Sequence, residues 1–284
     1  MRISVITPTF NSASTLRYNL VSVAGQRYYD VEHIIIDNCS TDGTAELVAK
    51  FPHVAKFISE LDSGIYNAFN KGIQHATGEI VCFLNSDDFY SDPEVLTTIA
   101  HTFQTANCDA VFGNLVYVYR HYPDKIHRVW KSSDFSVRSM LAGWMAPHPT
   151  FFLRRSVYLR GNLYNESMRY AADYELMLKL FLDQKISSVR LNRVLVYMRT
   201  GGATDKNIFS RLRVHREDYR AWQSVQHRPR FYTLHLKVLR KLHQLILHYY
   251  HPHWLAFLPT GLELFQPPAP APDHYSESES VISL

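Results

Sequence analysis

Short apolar runs recur along the first ninety or so residues. Each closes in polar residues, and each is followed by a segment with helical spacing. Ile3, Val5 and Ile6 begin a strand that Pro8 stops by removing a ladder donor. Leu16, Leu20, Val21 and Ala24 then share a helical face, with Ser12 or Ser14 available as N-cap. Residues 31–36 read as a second strand, and a short helix follows with Leu47 and Val48 inward. Residues 54–58 form a third strand. Ile65, Ala68, Phe69, Gly72 and Ile73 lie on one face of the next helix. Ile80, Val81, Cys82, Phe83 and Leu84 are apolar without alternation, the pattern of a strand buried on both faces. Strands alternating with helices predict an α/β fold with a doubly wound, mostly parallel sheet.

Downstream, Leu96, Ile99, Ala100 and Phe103 mark a helix, and residues 109–122 a strand with a hairpin partner at 126–130. His148 sits between two prolines in a turn that enters a strand. Another helix begins near Asp173, whose default reading is an N-cap. Residues 186–196 read as two short strands, and 201–204 as a flexible loop. From 208 to about 250 the chain reads as helical and basic. The proline-rich run after residue 266 and the Ser/Glu-rich end read as a disordered tail. The expected organisation is a catalytic domain at 1–204, split into halves 1–92 and 93–204. A helical extension at 205–262 and a tail at 263–284 follow.

Composition narrows this picture. With 46% hydrophobic and 20% charged residues in 284, the chain can bury a large core. A net charge of +4 does not argue for nucleic acid. The cysteines, Cys39, Cys82 and Cys108, show no metal spacing and suit a reducing cytoplasm. The first residues enter the fold directly and are too short for a signal peptide, and no apolar run is long enough to span a bilayer.

The candidate chemistry lies at the strand ends. Asp37, Asp62 and Asp87 each follow a strand, on the sheet edge where open α/β folds hold ligands. Asp87 and Asp88 would repel each other unless a cation bridged them, and a divalent metal holding a diphosphate meets that need. Each acid alone also serves as a turn or cap residue. Absence of G-x-G-x-x-G after the first strand, and of G-x-x-x-x-G-K-[ST] anywhere, counts against dinucleotide oxidoreductases and P-loop enzymes.

Four motifs in order carry a resemblance. They are Pro8-Thr9-Phe10-Asn11, the loop from Asp37 to Thr44, the stretch from Asp62 to Gly72, and Phe83-Leu84-Asn85-Ser86-Asp87-Asp88. Together they resemble the family-two inverting glycosyltransferases of the GT-A fold, from residue 1 to about residue 200. The resemblance implies a nucleotide-sugar donor, commonly a UDP-sugar. Thr7, Pro8, Thr9, Asn11 and Asp37 would hold the nucleoside, and Asp62, Gly64 and Asn67 would complete its pocket. Asn85-Ser86-Asp87 matches the family's D-x-D motif with Asn85 in place of the first Asp, so Asp87 would be the main ligand to Mn²⁺ or Mg²⁺. His148 would lie near the donor phosphates, although Pro149 stands where Gln is common. Asp173 would be the general base, with Ala172 replacing the usual Glu, and the loop at 201–204 would close over the donor. Sugar or lipid-linked sugar acceptors, surface-polysaccharide assembly and a cytoplasmic setting follow from the same resemblance.

Two other readings stay open. A nucleotidyltransferase would carry a glycine-rich basic loop that residues 7–11 lack. A catalytically weak or inactive nucleotide-sugar-binding homologue is favoured by Asn85 and Ala172. In the extension, Leu234, Val238, Leu242, Leu245 and Tyr249 share a face among basic residues, and Trp254, Leu255, Phe257 and Leu258 follow. Residues 231–258 could therefore lie on an anionic membrane surface, or pack on the catalytic domain.

Overall fold

The computed structural model describes residues 1–201, 208–237 and 239. The first half alternates as its pattern predicts: β1 (Ile3–Thr9), α1 (Ala13–Ala24), β2 (Val31–Asp37), α2 (Thr44–Val48), β3 (Val54–Ser59), α3 (Ile65–His75) and β4 (Ile80–Phe83). The second half carries β5 (Phe89–Tyr90), α4 (Val95–Ala106), β6 (Ala110–Val118), β7 (Ile126–Trp130), α5 (Val137–Leu141), β8 (Phe152–Arg154), α6 (Arg155–Tyr158), α7 (Ala172–Leu178), β9 (Ser188–Arg199) and α8 (Ile208–Gln223).

One nine-stranded sheet runs in the order β3-β2-β1-β4-β8-β6-β9-β5, with β7 against β6. Strands β1 to β4 are parallel, so their C-terminal ends share one edge. The antiparallel β8 joins the halves, meeting β4 at Ile80 and Val81 and β6 at Ala110 and Val111. Most paired positions nonetheless lie in parallel ladders, because β6 and β9 run parallel along much of their length.

Ile3, Val5, Ile6, Ile34, Ile36, Val81 and Cys82 are buried, which accounts for the apolar residues at these strand positions. Each such aliphatic side chain contributes ~1.5–3 kcal/mol on burial. Beneath the cleft an aromatic layer joins the halves. Phe69 and Phe83 lie 4.2 Å apart by centroid, and Tyr158, Tyr164 and His148 pack around them. Each good aromatic pair adds ~0.5–1.5 kcal/mol beyond its buried area.

Two local expectations are corrected. The stretch read as two short strands is the single strand β9, because register shifts around Asn114 of β6 absorb the polar interruption. Asp173 is not an N-cap. Ala171 holds that position, and Asp173 falls within the first turn of α7.

Helix α8 packs on the catalytic half through Ala221 and Trp222, and Val225, just past its end, and Leu234 join the same core. Gly143, at φ +79°, lies so close to this segment that a Cβ there would sit 2.5 Å from the backbone nitrogen of Lys237. Leu234 is thus turned inward. Val238 and everything beyond residue 239 lie outside the described residues, as do 202–207 and the tail. No helix among the described residues is long and apolar enough to cross a membrane.

A polar chain threads the parallel half. Thr7 Oγ1 lies 3.0 Å from His33 Nε2, and His33 Nδ1 lies 3.1 Å from His53 Nε2. Burial, with a smaller push from His53, lowers the His33 pKa from 6.5 to about 3. The folded state therefore binds fewer protons than the unfolded chain between those values. The stability contributed by neutral His33 is complete above pH 6.5 and is lost as pH falls toward 3. Its expected slope is ~1.4 kcal/mol per pH unit within that window. Melting temperatures between pH 7 and pH 4.5, wild type against His33→Gln, measure it; parallel curves would exclude His33 as the source.

Candidate active site

The ends of β1 and β2 are laced together. Asp37 accepts hydrogen bonds from Thr9 Oγ1 (2.8 Å), Ser59 Oγ (2.7 Å), Ser40 N (2.9 Å) and Ser40 Oγ (2.5 Å). Burial alone would raise its pKa, but these donors outweigh it and hold the carboxyl below its ordinary value. Asn11, at φ 47°, accepts from Thr41 N through Oδ1 at 3.0 Å and donates its own N–H to Ser40 Oγ at 2.8 Å. Asp37 and Thr7, both expected at the nucleoside, are therefore buried behind the wall. Pro8, Thr9 and Asn11 line the cleft itself.

The cleft, of about 2230 Å³, runs from this wall across the sheet edge to α7. Asp62, Gly64 and Asn67 form its next segment. Asp62 Oδ1 accepts from Gly64 N at 2.9 Å, and Gly64, at φ 138°, starts α3 in a conformation that strains any other residue. Asn67 Nδ2 donates to Glu166 Oε2 at 2.8 Å. Phe10 is 61% exposed and offers an aromatic face into the same segment.

Beyond β4 the two adjacent acids part company. Asp88 is fully buried, accepting from Asn85 Nδ2 at 3.0 Å and from Arg199 N at 3.3 Å. Burial and the neighbouring Asp87 push its pKa well above the carboxylate range. Asp87 alone faces the cleft, 3.5 Å from Arg120 Nη1. The expectation of two carboxylates bridged by a cation is corrected on this point: Asp88 is occupied by its neighbours. Asn85 spends its amide nitrogen on Asp88, and its buried Oδ1 meets no hydrogen-bond partner among the described residues. Ser86 Oγ lies 3.0 Å from Ser12 Oγ.

Arg199 ends β9 beside these groups. It is 5% exposed, its guanidinium lies 4.3 Å from the Tyr18 ring centroid, and Nη1 donates to Arg120 O at 2.9 Å. Its Nε and Nη2 meet no acceptor among the described residues. Burial lowers its pKa against the opposing pull of Tyr18 and Asp87. Buried unpaired donors are costly, so such a group is suited to an incoming anion.

On the far wall stands Asp173. Its Oδ1 accepts from the Tyr66 phenol at 3.2 Å and from Tyr174 N at 2.9 Å. Tyr66 stacks on Tyr164, whose phenol oxygen lies 2.8 Å from His148 Nε2. His148 packs against Phe69 and Phe83, and burial lowers its pKa despite Asp173. It meets the cleft as a neutral ring.

The residues present suit a hard cation. Among the described residues no group of three or more His, Cys, Asp and Glu side chains forms a ready metal cage. An unsatisfied amide oxygen at Asn85 and a single carboxylate at Asp87 are nevertheless the oxygen donors that Mn²⁺ or Mg²⁺ accepts, with phosphate oxygens completing the set.

Sequence reasoning passed over Tyr66, Arg120, Glu166 and Arg199 as site residues. Arg199 had a visible signal, a cation closing the apolar run 194–198 just before Gly201 and Gly202. Glu166 and Arg120 had none, because hairpin and loop geometry brings them in.

Fold and cleft place the chain among α/β enzymes that work at the carboxyl edge of a doubly wound sheet. The profile of "Glycosyl transferase family 2" matches residues 4–162; the chain belongs to that family and is a glycosyltransferase. An uncharacterized glycosyltransferase of Mycobacterium tuberculosis is 34% identical over 186 residues, covering 63% of this chain and 69% of the relative. A PGL/p-HBAD biosynthesis glycosyltransferase of Mycobacterium bovis is 27% identical over 219 residues, covering 74% and 83%. In fold, the chain is similar to Staphylococcus aureus TarS in complex with UDP, with TM-score 0.60, 21% identity, and coverage of 93% and 75%. It is also similar to the mannosyltransferase PcManGT of Pyrobaculum calidifontis in complex with GDP-Man and Mn²⁺, with TM-score 0.59, 20% identity, and coverage of 93% and 74%.

Proposed function

We propose that the protein transfers a sugar from a nucleotide-diphosphate sugar, a UDP-sugar, to an acceptor hydroxyl with inversion. The acceptor is a sugar or lipid-linked sugar in surface-polysaccharide assembly. The observation that carries this reading is the meeting of two sets of groups in the lining of one cleft. Asn85 Oδ1 and two Arg199 donors, unpartnered among the described residues, lie there with Asp87, and Asp173 lines the same cleft from α7. The relatives in complex with UDP and with GDP-Man support the donor class.

In this reading Pro8, Thr9, Asn11, Asp62, Gly64 and Asn67 shape the nucleoside pocket, and the Phe10 ring stacks on the base. Thr7 and Asp37 act from behind by fixing the loops. Asn85 and Asp87 would hold Mn²⁺ or Mg²⁺, with Ser86 beside them. When bound, the cation supplies positive charge against the departing diphosphate. Arg199 donates to diphosphate oxygens. His148, uncharged, supports this floor by packing. Asp173 takes the proton from the acceptor hydroxyl as its oxygen attacks the anomeric carbon opposite the diphosphate, and a single in-line displacement inverts the centre.

A panel of nucleotide sugars tests this, with nucleoside-diphosphate release followed with and without candidate acceptors. Acceptor-dependent release is expected. Tight donor binding with no release from any pair would instead favour a non-catalytic binder, the reading that Asn85 and Ala172 suggest. A narrower expectation concerns Arg199→Gln. Hydrogen bonds to charged groups are worth ~1.5–3 kcal/mol, so UDP affinity should fall about 10- to 100-fold. Uridine, which lacks phosphates, should bind unchanged. Calorimetric titration with both ligands decides this, and an equal loss for uridine would remove Arg199 from the diphosphate.

A further inference from the structure

Helix α7 carries Asp173 but does not cap itself. Ala171 stands at the cap position without a side chain that could accept from the first turn. The chain enters this helix through a strap, residues 164–171, that is held at both ends by other elements; Ala171 N, the N–H of the cap residue, is among the groups held.

At one end α3 holds it. Asn70 exchanges hydrogen bonds with the backbone of Tyr164, both at 2.9 Å, and Asn67 and Asn70 each donate to the Glu166 carboxylate at 2.8 Å. At the other end α8 holds it. Glu217 Oε2 accepts from Tyr170 N at 2.7 Å and Ala171 N at 3.1 Å, while Oε1 accepts from Arg169 N at 3.1 Å.

The pattern of α8 puts Glu217 there. Val214, Asp218, Ala221, Trp222 and Val225 follow helical steps of three and four and turn away from solvent, and Glu217 lies within that stripe. Other residues of the extension grip Tyr174, next to Asp173. The Tyr174 phenol oxygen accepts from Trp222 Nε1 at 3.1 Å. Lys237 Nζ lies 3.4 Å from the Tyr174 ring centroid and pairs with Asp218 at 2.6 Å.

We propose that Glu217 is a positioning residue for Asp173: from α8 it holds the last strap residues and the cap-residue N–H of α7, and so fixes the direction in which the helix presents the base. This rests on the reading of Asp173 as general base. A carboxylate is suited to the task, because it accepts from successive N–H groups and its charge complements the helix N-terminus. A catalytic group displaced by about 1 Å can cost on the order of 10²-fold in rate. Glu217→Gln keeps the size but replaces an acceptor oxygen with a donor that opposes the strap N–H groups. The expected loss in kcat is about 10- to 100-fold, with KM and Kd for the donor unchanged.

A double-mutant cycle in the full-length chain tests this, using UDP affinity and steady-state transfer as readouts. In an Asp173→Asn background, Glu217→Gln should cost less than about twofold in kcat, because the group it aims is already gone. The inference is overturned if Glu217→Gln transfers at the wild-type rate, loses the same factor in both backgrounds, or weakens UDP in proportion to kcat. Wild-type transfer by Asp173→Asn would remove the base reading and this inference with it. A crippled Asp173→Asn beside an unaffected Glu217→Gln would remove this inference alone. Should Glu217→Gln not fold by circular dichroism, Glu217→Asp replaces it. That variant keeps the charge with a shorter reach, and a smaller loss with the same non-additivity is then expected.

Discussion

Asp87→Asn is expected to abolish measurable transfer while leaving the fold intact. The substitution keeps shape and removes one negative charge. No neighbour can replace it: Asp88 is buried, bonded to Asn85 and Arg199, and driven toward its neutral form by burial and by Asp87. Asn85 offers only an amide oxygen. With a single cleft carboxylate on this wall, its loss leaves no anion to hold a cation against the diphosphate. Removal of one preorganised electrostatic group typically costs ~10²–10³-fold in kcat, and a site already short of one carboxylate has less to fall back on. The fold should survive, because among the described residues the ion pair of Asp87 is with Arg120 at 3.5 Å, a partly exposed pair of a kind worth ~0–1 kcal/mol. Initial rates beside a thermal melt measure both claims. Full activity in the variant would take Asp87 out of the mechanism.

Asp173→Asn is expected to lower transfer by ~10²–10⁴-fold, the usual contribution of a general base, while donor affinity stays at its wild-type value. The side chain lines the cleft from α7, and Tyr66 and the Tyr174 backbone both hold its Oδ1. Among the described residues nothing donates to Oδ2, which leaves an acceptor oxygen for a substrate hydroxyl. Helix capping no longer competes as an explanation, since Ala171 and not Asp173 occupies the cap position. Paired measurement of UDP affinity and transfer rate separates the alternatives. A proportional fall in both would mark Asp173 as a support for the donor pocket.

The parallel half was legible because β1, β2 and β4 are buried on both faces, so apolar residues dominate them: Ile3, Val5 and Ile6 in β1, Ile34 to Ile36 in β2, and all of β4. Acids at their ends pointed to the ligand edge for the same reason: a charge cannot continue through that core. What each acid does was not legible. Asp37 turns inward because the hydroxyls of Thr9 and Ser59, at the ends of β1 and β3, and of Ser40, in the loop after β2, converge on it, and Asp88 does so because the backbone of a strand 111 residues away donates to it. Asp173 looked like a cap because capping is read from neighbours in sequence, whereas Glu217 reaches this helix start from another element. Strand β9 looked broken because Asn192 and Arg193 interrupt its apolar pattern; pairing with β6 through register shifts carries it past them.

Strand β8 has a consequence for engineering. Only three residues long, it is a seam in an otherwise broad sheet, touching β4 at two positions and β6 at two more. Chimaeras between members of this family can be cut beside that seam. A segment ending near Asp92 would have to match its new host at Ile80 and Val81, at the Phe89 and Tyr90 pairs with β9, and in the aromatic layer under Phe69 and Phe83. It would also have to find the partners that Asn67 and Asn70 meet in the strap, that Tyr66 meets in Asp173 and that Asp88 meets in Arg199. A chimaera cut at this seam is expected to fold only when those partners are kept and the strap travels with its own α8.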